Sequence, residues 1–135
     1  IFYYDAEGEL TKTERFVNTY DAMGRLLGQV HYVDDLRVYE YLCFLSPSVA
    51  WYWDYEIYYD ENGDPERHYT WEYTYDEWRE PNHQVKKLNG AVIEETFFVE
   101  EYGHGQYARR VITYGENGQV LTDIYYDCEG NEISP

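Results

Sequence analysis

The stretch Tyr59-Asp60-Glu61-Asn62-Gly63-Asp64 decides the fold, because it stands between two runs that alternate with a period of two. Before it, Val49, Trp51, Trp53, Tyr55, Ile57 and Tyr59 occupy the odd positions, while Asp54 and Glu56 fall among the even ones. After it, Tyr69, Trp71, Tyr73 and Tyr75 alternate with His68, Thr70, Glu72 and Thr74. Successive side chains of a strand point to opposite faces, so each run reads as a strand with one covered face. The intervening Asp and Gly make the pair an antiparallel hairpin. The same alternation predicts that Trp51, Trp53 and Trp71 are core residues.

The turn recurs. Tyr-Asp followed by Gly three residues after the Asp is found at Asp5–Gly8, Asp21–Gly24, Asp60–Gly63 and Asp127–Gly130. A relaxed copy ending at Gly118 lacks the Asp, and Tyr75-Asp76-Glu77-Trp78-Arg79 lacks the Gly. Asp suits the first position of a type I turn because its carboxylate accepts a backbone N–H two residues on. Gly suits the fourth because it takes φ > 0 without a Cβ penalty. Such a turn is a hairpin loop with a bulge. Asp5, Gly8, Asp21, Gly24, Asp60, Gly63, Gly118, Asp127 and Gly130 are therefore read as turn residues.

Further strands are expected near Leu10–Thr19, Arg25–Val33, Leu36–Leu45, Val92–Glu101, Gln106–Tyr114 and Gln119–Tyr126. Ser46-Pro47-Ser48 reads as a break and Glu80-Pro81-Asn82-His83 as an irregular loop. Strands joined by tight turns are neighbours and antiparallel. The expectation is an all-β, up-and-down meander of roughly 8–10 strands, a curled single sheet or barrel-like, in a single domain over residues 1–135. Its edges would lie near Phe2–Tyr4 and Asn131–Ser134, blunted by Asp5, Glu7, Glu9, Asp127, Glu129 and Glu132.

Tyr20-Asp21-Ala22-Met23-Gly24-Arg25-Leu26-Leu27 resembles the YD repeat of Rhs and teneurin-type shells. Tyr4–Leu10 is similar, and weaker echoes occupy Tyr59–Pro65 and Tyr126–Ile133. In that family the repeats build antiparallel sheets that curl around a cargo. The resemblance implies that the Tyr, Asp and Gly positions are structural, not catalytic, and places the chain among bacterial secreted or surface assemblies.

Composition narrows the partners. The net charge is −17, from 27 acidic against 10 basic residues, so nucleic acid and anionic membrane surfaces are disfavoured. No run is apolar enough to span a membrane. A protein, basic in particular, or a neutral glycan fits better, and the chain is expected to be a monomer or a segment of a larger sheet. Cys43 and Cys128 fit one disulfide or two thiols, and form no metal or redox motif.

Few residues suggest chemistry. Asp60–Glu66 alternates oxygen ligands but departs from the EF-hand spacing, and no cofactor is expected. Glu94-Glu95 and Glu100-Glu101 are adjacent, so the members of each pair face opposite ways and cannot flank one glycosidic bond. His31, His68, His83 and His104 are scattered, with His104 in a Gly-His-Gly turn. The aromatic excess carries the binding potential: Tyr3, Tyr52, Tyr58 and Tyr125 would fall opposite the core face as an exposed strip. The expectation is a non-enzymatic scaffold or interaction module, extracellular or at the cell surface. Carbohydrate binding by exposed Tyr and Trp is the first alternative, and an acidic immunity protein for a basic toxin the second.

Overall fold

The computed structural model describes residues 1–98 and 108–133. The chain is all-β. Its 11 strands are antiparallel, each hydrogen-bonded to the next in sequence. They are β1 (Phe2–Tyr4), β2 (Leu10–Tyr20), β3 (Leu26–Val33), β4 (Leu36–Leu45), β5 (Trp51–Tyr59), β6 (Pro65–Tyr75), β7 (Pro81–Leu88), β8 (Ala91–Phe98), β9 (Arg109–Tyr114), β10 (Val120–Tyr126) and β11 (Glu132–Ile133). The order starts at β1 and ends at β11, which do not pair with each other among the described residues, so the sheet is not closed into a barrel. Residue contacts gather into two compact units, one of Ile1–Phe44 with Tyr52–Tyr69, the other of Leu45–Trp51 with Thr70–Pro135.

The recurring turns share one geometry. At Asp21, the Gly24 N–H donates to the Asp21 carbonyl at 3.0 Å and the Asp21 N–H to the Arg25 carbonyl at 2.9 Å. Asp21 Oδ1 accepts the N–H of Met23 and of Arg25, both at 2.9 Å. Asp5, Asp60, Asp76 and Asp127 repeat this arrangement. Each carboxylate thus satisfies two donors that the reversal would leave unpaired.

Degenerate copies keep the geometry by substitution. Gly115 has no side chain, and Gln119 Oε1 reaches back to accept the Asn117 N–H at 3.0 Å. The Ser46 break is also such a turn: the Val49 N–H donates to the Ser46 carbonyl at 2.8 Å. Ser46 Oγ accepts the Ala50 N–H and meets the Ser48 hydroxyl, and Glu80 Oε1 takes the Ser48 N–H at 2.6 Å. The place of the closing Gly is held by Val49 here and by Arg79 after Asp76, both at φ 65. Asp34-Asp35 and Asn89-Gly90 make two-residue hairpin loops with φ > 0 throughout.

The loop expected at Glu80–His83 is instead the start of β7, with Pro81 buried. Proline lacks an N–H but is tolerated at the first position of a strand. The strands expected at Val92–Glu101 and Gln106–Tyr114 are β8 and β9. Their remaining residues, including Glu100, Glu101 and His104, lie outside the described residues, as does Ser134.

The tryptophan core is corrected as well. Trp71 is 8% exposed, but Trp51 and Trp53 are 52% and 40% exposed. Alternation reports which side of a strand a residue takes. Burial needs something on that side, and no described side chain is fully buried.

A leucine or valine at φ near +65° meets its own carbonyl, which glycine avoids. Val49→Gly should therefore stabilise by about 1 kcal/mol, and Gly24→Val should destabilise by about 1–3 kcal/mol. A Cβ on Gly24 would meet nothing within 4 Å, so the Gly24 cost is conformational, not steric. Ala22 at the turn's exposed centre should tolerate valine. Urea midpoints for the three variants check this; equal tolerance at all three would disprove the turn assignment.

Candidate interaction surfaces

In the first unit an aromatic row crosses five neighbouring strands on one face. Phe16 on β2 is paired with His31 on β3, their rings stacked at 4.4 Å and 8°; His31 is in turn paired with Tyr39 on β4. Tyr39 meets Tyr58 on β5 at 4.8 Å, and Tyr58 meets Tyr69 on β6 at 6.3 Å, edge to face. The Arg67 guanidinium lies 4.4 Å over the Tyr58 ring. Trp53 stands edge-on to Tyr41 at 5.8 Å beside the row. Cross-strand aromatic and cation–π pairs of this kind take the place of a covering layer. Burial raises the Tyr39 hydroxyl above the usual tyrosine value, helped by its 2.5 Å hydrogen bond to Glu56.

The alternation of β5 is broken inside this row. Tyr52 stacks on Phe44, whereas Trp53 touches Tyr41, on the other face of β4. Tyr55 and Tyr59 reach Glu40 on the Phe44 face, while Tyr58 reaches Tyr39 on the Tyr41 face. An irregularity between Tyr52 and Tyr55 therefore exchanges the odd and even faces. As a result Tyr52 and Tyr58 do not share a face.

The other two residues of the expected strip are also held by neighbours. Tyr3 donates to Glu14 Oε2 at 3.1 Å under Lys12 Nζ. Tyr125, in the second unit, lies 5.1 Å beneath the Arg110 guanidinium.

On the opposite face of the first unit, Glu40 is 8% exposed. Its Oε1 accepts the Tyr59 hydroxyl and Arg37 Nη1, the latter at 3.2 Å; its Oε2 accepts the Tyr55 hydroxyl at 3.2 Å. Burial first, and the Glu40 hydrogen bond with it, raise the Tyr59 hydroxyl above its ordinary value.

The second unit repeats one device of the first. His83 on β7 stacks on Phe97 of β8 at 4.5 Å, with His83 Nε2 3.4 Å from Glu95 Oε1. In the first unit, His31 stacks on Phe16 with Nε2 3.9 Å from Glu14 Oε2. In both, a Glu-x-Phe strand faces a histidine whose Nε2 has no hydrogen-bond partner. Spacing in one strand cannot reveal this, because the histidine comes from another strand.

β1 pairs with β2 from Leu10 to Thr13, and Glu14 exchanges both its N–H and C=O with Ile1.

Among the described residues no group of three or more His, Cys, Asp or Glu could hold a metal ion, and Cys43 and Cys128 are not bonded to each other. No described helix is long and apolar enough to cross a membrane. No family model matches the chain, and no curated protein is significantly similar to it.

Proposed function

We propose that the chain is a non-enzymatic β-repeat scaffold that engages a basic protein partner. The observation that carries this reading is that the recurring acids are used by the fold: the carboxylates of Asp5, Asp21, Asp60, Asp76 and Asp127 are each taken up by two backbone N–H groups. The net charge of −17 repels a second copy and favours a basic partner.

The test titrates the protein by amide NMR with a lysine-rich peptide and with its glutamate-rich counterpart. Saturable binding of the lysine peptide is expected, weakening as salt screens the charges. Equal binding of both peptides, or binding of neither, would refute the basic-partner reading.

Carbohydrate recognition is a second reading, favoured by the ring row beside the 40%-exposed Trp53. Aromatic faces stack on sugar rings at little entropic cost. Glycan-array binding lost on Trp53→Ala would promote it; an array without signal would remove it.

A further inference from the structure

A groove of about 780 Å³ opens in the second unit along β8, β9 and the turn that leads to β10. Leu88, Val92, Ile93 and Leu121 form apolar walls, Tyr114 and Glu95 supply the polar floor, and Glu116 lies at the turn. Among the described residues, no lysine, arginine or histidine lines it. Its size falls in the range of small-molecule sites, which pair apolar walls with few polar groups.

The floor is organised. The Tyr114 hydroxyl donates to Glu95 Oε2 at 2.5 Å, which fixes the carboxylate and the ring together. This hydrogen bond raises the Tyr114 hydroxyl above its ordinary value, so the proton stays on the tyrosine. Arg110 of β9, paired with Phe97 of β8, is engaged by Asp123 through bonds of 2.8 and 2.6 Å. Glu95 Oε1 has only the His83 ring nitrogen near it, at 3.4 Å, and this contact is not a hydrogen bond.

We propose that the groove binds a small organic cation, an aryl- or alkylammonium whose apolar body packs between Ile93 and Leu121. Its positive nitrogen sits at Glu95 Oε1 beside the Tyr114 ring. Charge complementarity selects the cation: two carboxylates line a site that has no base, in a chain of net charge −17. The apolar walls exclude a strongly hydrated inorganic ion, and the tyrosine face adds cation–π attraction. This site is independent of the proposed scaffold role.

The test compares benzyltrimethylammonium with neopentylbenzene, its uncharged carbon isostere, by methyl NMR titration. Saturable shifts at Leu88, Ile93 and Leu121 are expected for the cation, with the isostere about tenfold weaker or worse. Glu95→Gln should weaken the cation about tenfold, whereas Glu7→Gln, on an exposed turn of the first unit, should leave it unchanged. Leu121 is 61% exposed, so Leu121→Lys places a competing cation at the groove without loading the fold, and should abolish binding. Equal binding of the isostere, an unaffected E95Q or L121K variant, or equal weakening by E7Q would overturn the proposal.

Discussion

Gly28→Ala is expected to destabilise the chain by about 2–3 kcal/mol, more than alanine at any turn glycine. Gly28 lies in β3 opposite Leu42 of β4, and a Cβ there would sit 2.5 Å from the Tyr41 carbonyl oxygen and 2.9 Å from Leu42 Cδ1. A side-chain atom can rotate away, but the carbonyl oxygen belongs to the ladder that joins the two strands. Accommodation must then come from displacement of β3 against β4. The comparison is Gly8→Ala, where φ is +81° and nothing lies within 4 Å, so the only cost is added backbone strain of about 1 kcal/mol. Urea midpoints at an unchanged slope would measure both. A Gly28 variant no worse than the Gly8 variant would mean that β3 and β4 are not so closely apposed.

Glu40→Ala is expected to cost about 2–3 kcal/mol, because it strands the hydroxyls of Tyr55 and Tyr59 and unpairs Arg37 in one step. Arg37 and the hydroxyls can recover some hydration, which keeps the figure below that of a fully buried ion pair. Glu40→Gln keeps one acceptor and should cost about half as much.

The same cluster gives the chain an alkaline limit. Tyr55 and Tyr59 both have raised values, each through burial first, with Glu40 adding to it. A raised tyrosine favours the protonated, folded form. Its contribution is complete below the unfolded value near 10 and is lost as pH climbs from there through the folded value. Melting temperature should therefore fall above pH 10, and Tyr55→Phe with Tyr59→Phe should flatten that fall. A native chain and double variant with parallel profiles would remove the cluster from the explanation.

The turns were legible because their chemistry is local: Asp21 and Gly24 specify the reversal by themselves, and the strands on either side follow. Asn89-Gly90 carried an equally local hairpin signal, which the Tyr-Asp pattern passed over. β7 was misread because Pro81 and Asn82 are turn residues by frequency, while a strand can begin on proline. The Val49 and Arg79 turns were hidden for another reason. Their geometry is imposed by the flanking strand pairs and, at Ser48, by Glu80 from a different turn. Trp51 and Trp53 were assigned to a core because alternation was taken as burial. The face exchange between Tyr52 and Tyr55 leaves no mark in residue type, and it puts Tyr52 and Tyr58 on opposite faces. The groove beside Glu95 is not written in any one segment, since it depends on how neighbouring strands are placed.

The sequential strand order also sets how the chain acquires its structure. Each described connection closes a short loop, so pairing never has to wait for distant segments to meet. Low contact order of this kind favours rapid folding, an advantage that most all-β proteins lack. A hairpin at any Asp-x-x-Gly turn can serve as a nucleus, with strands added outward by zippering. Substitutions in the turn that nucleates would then slow folding, while those in strands added late would mainly hasten unfolding.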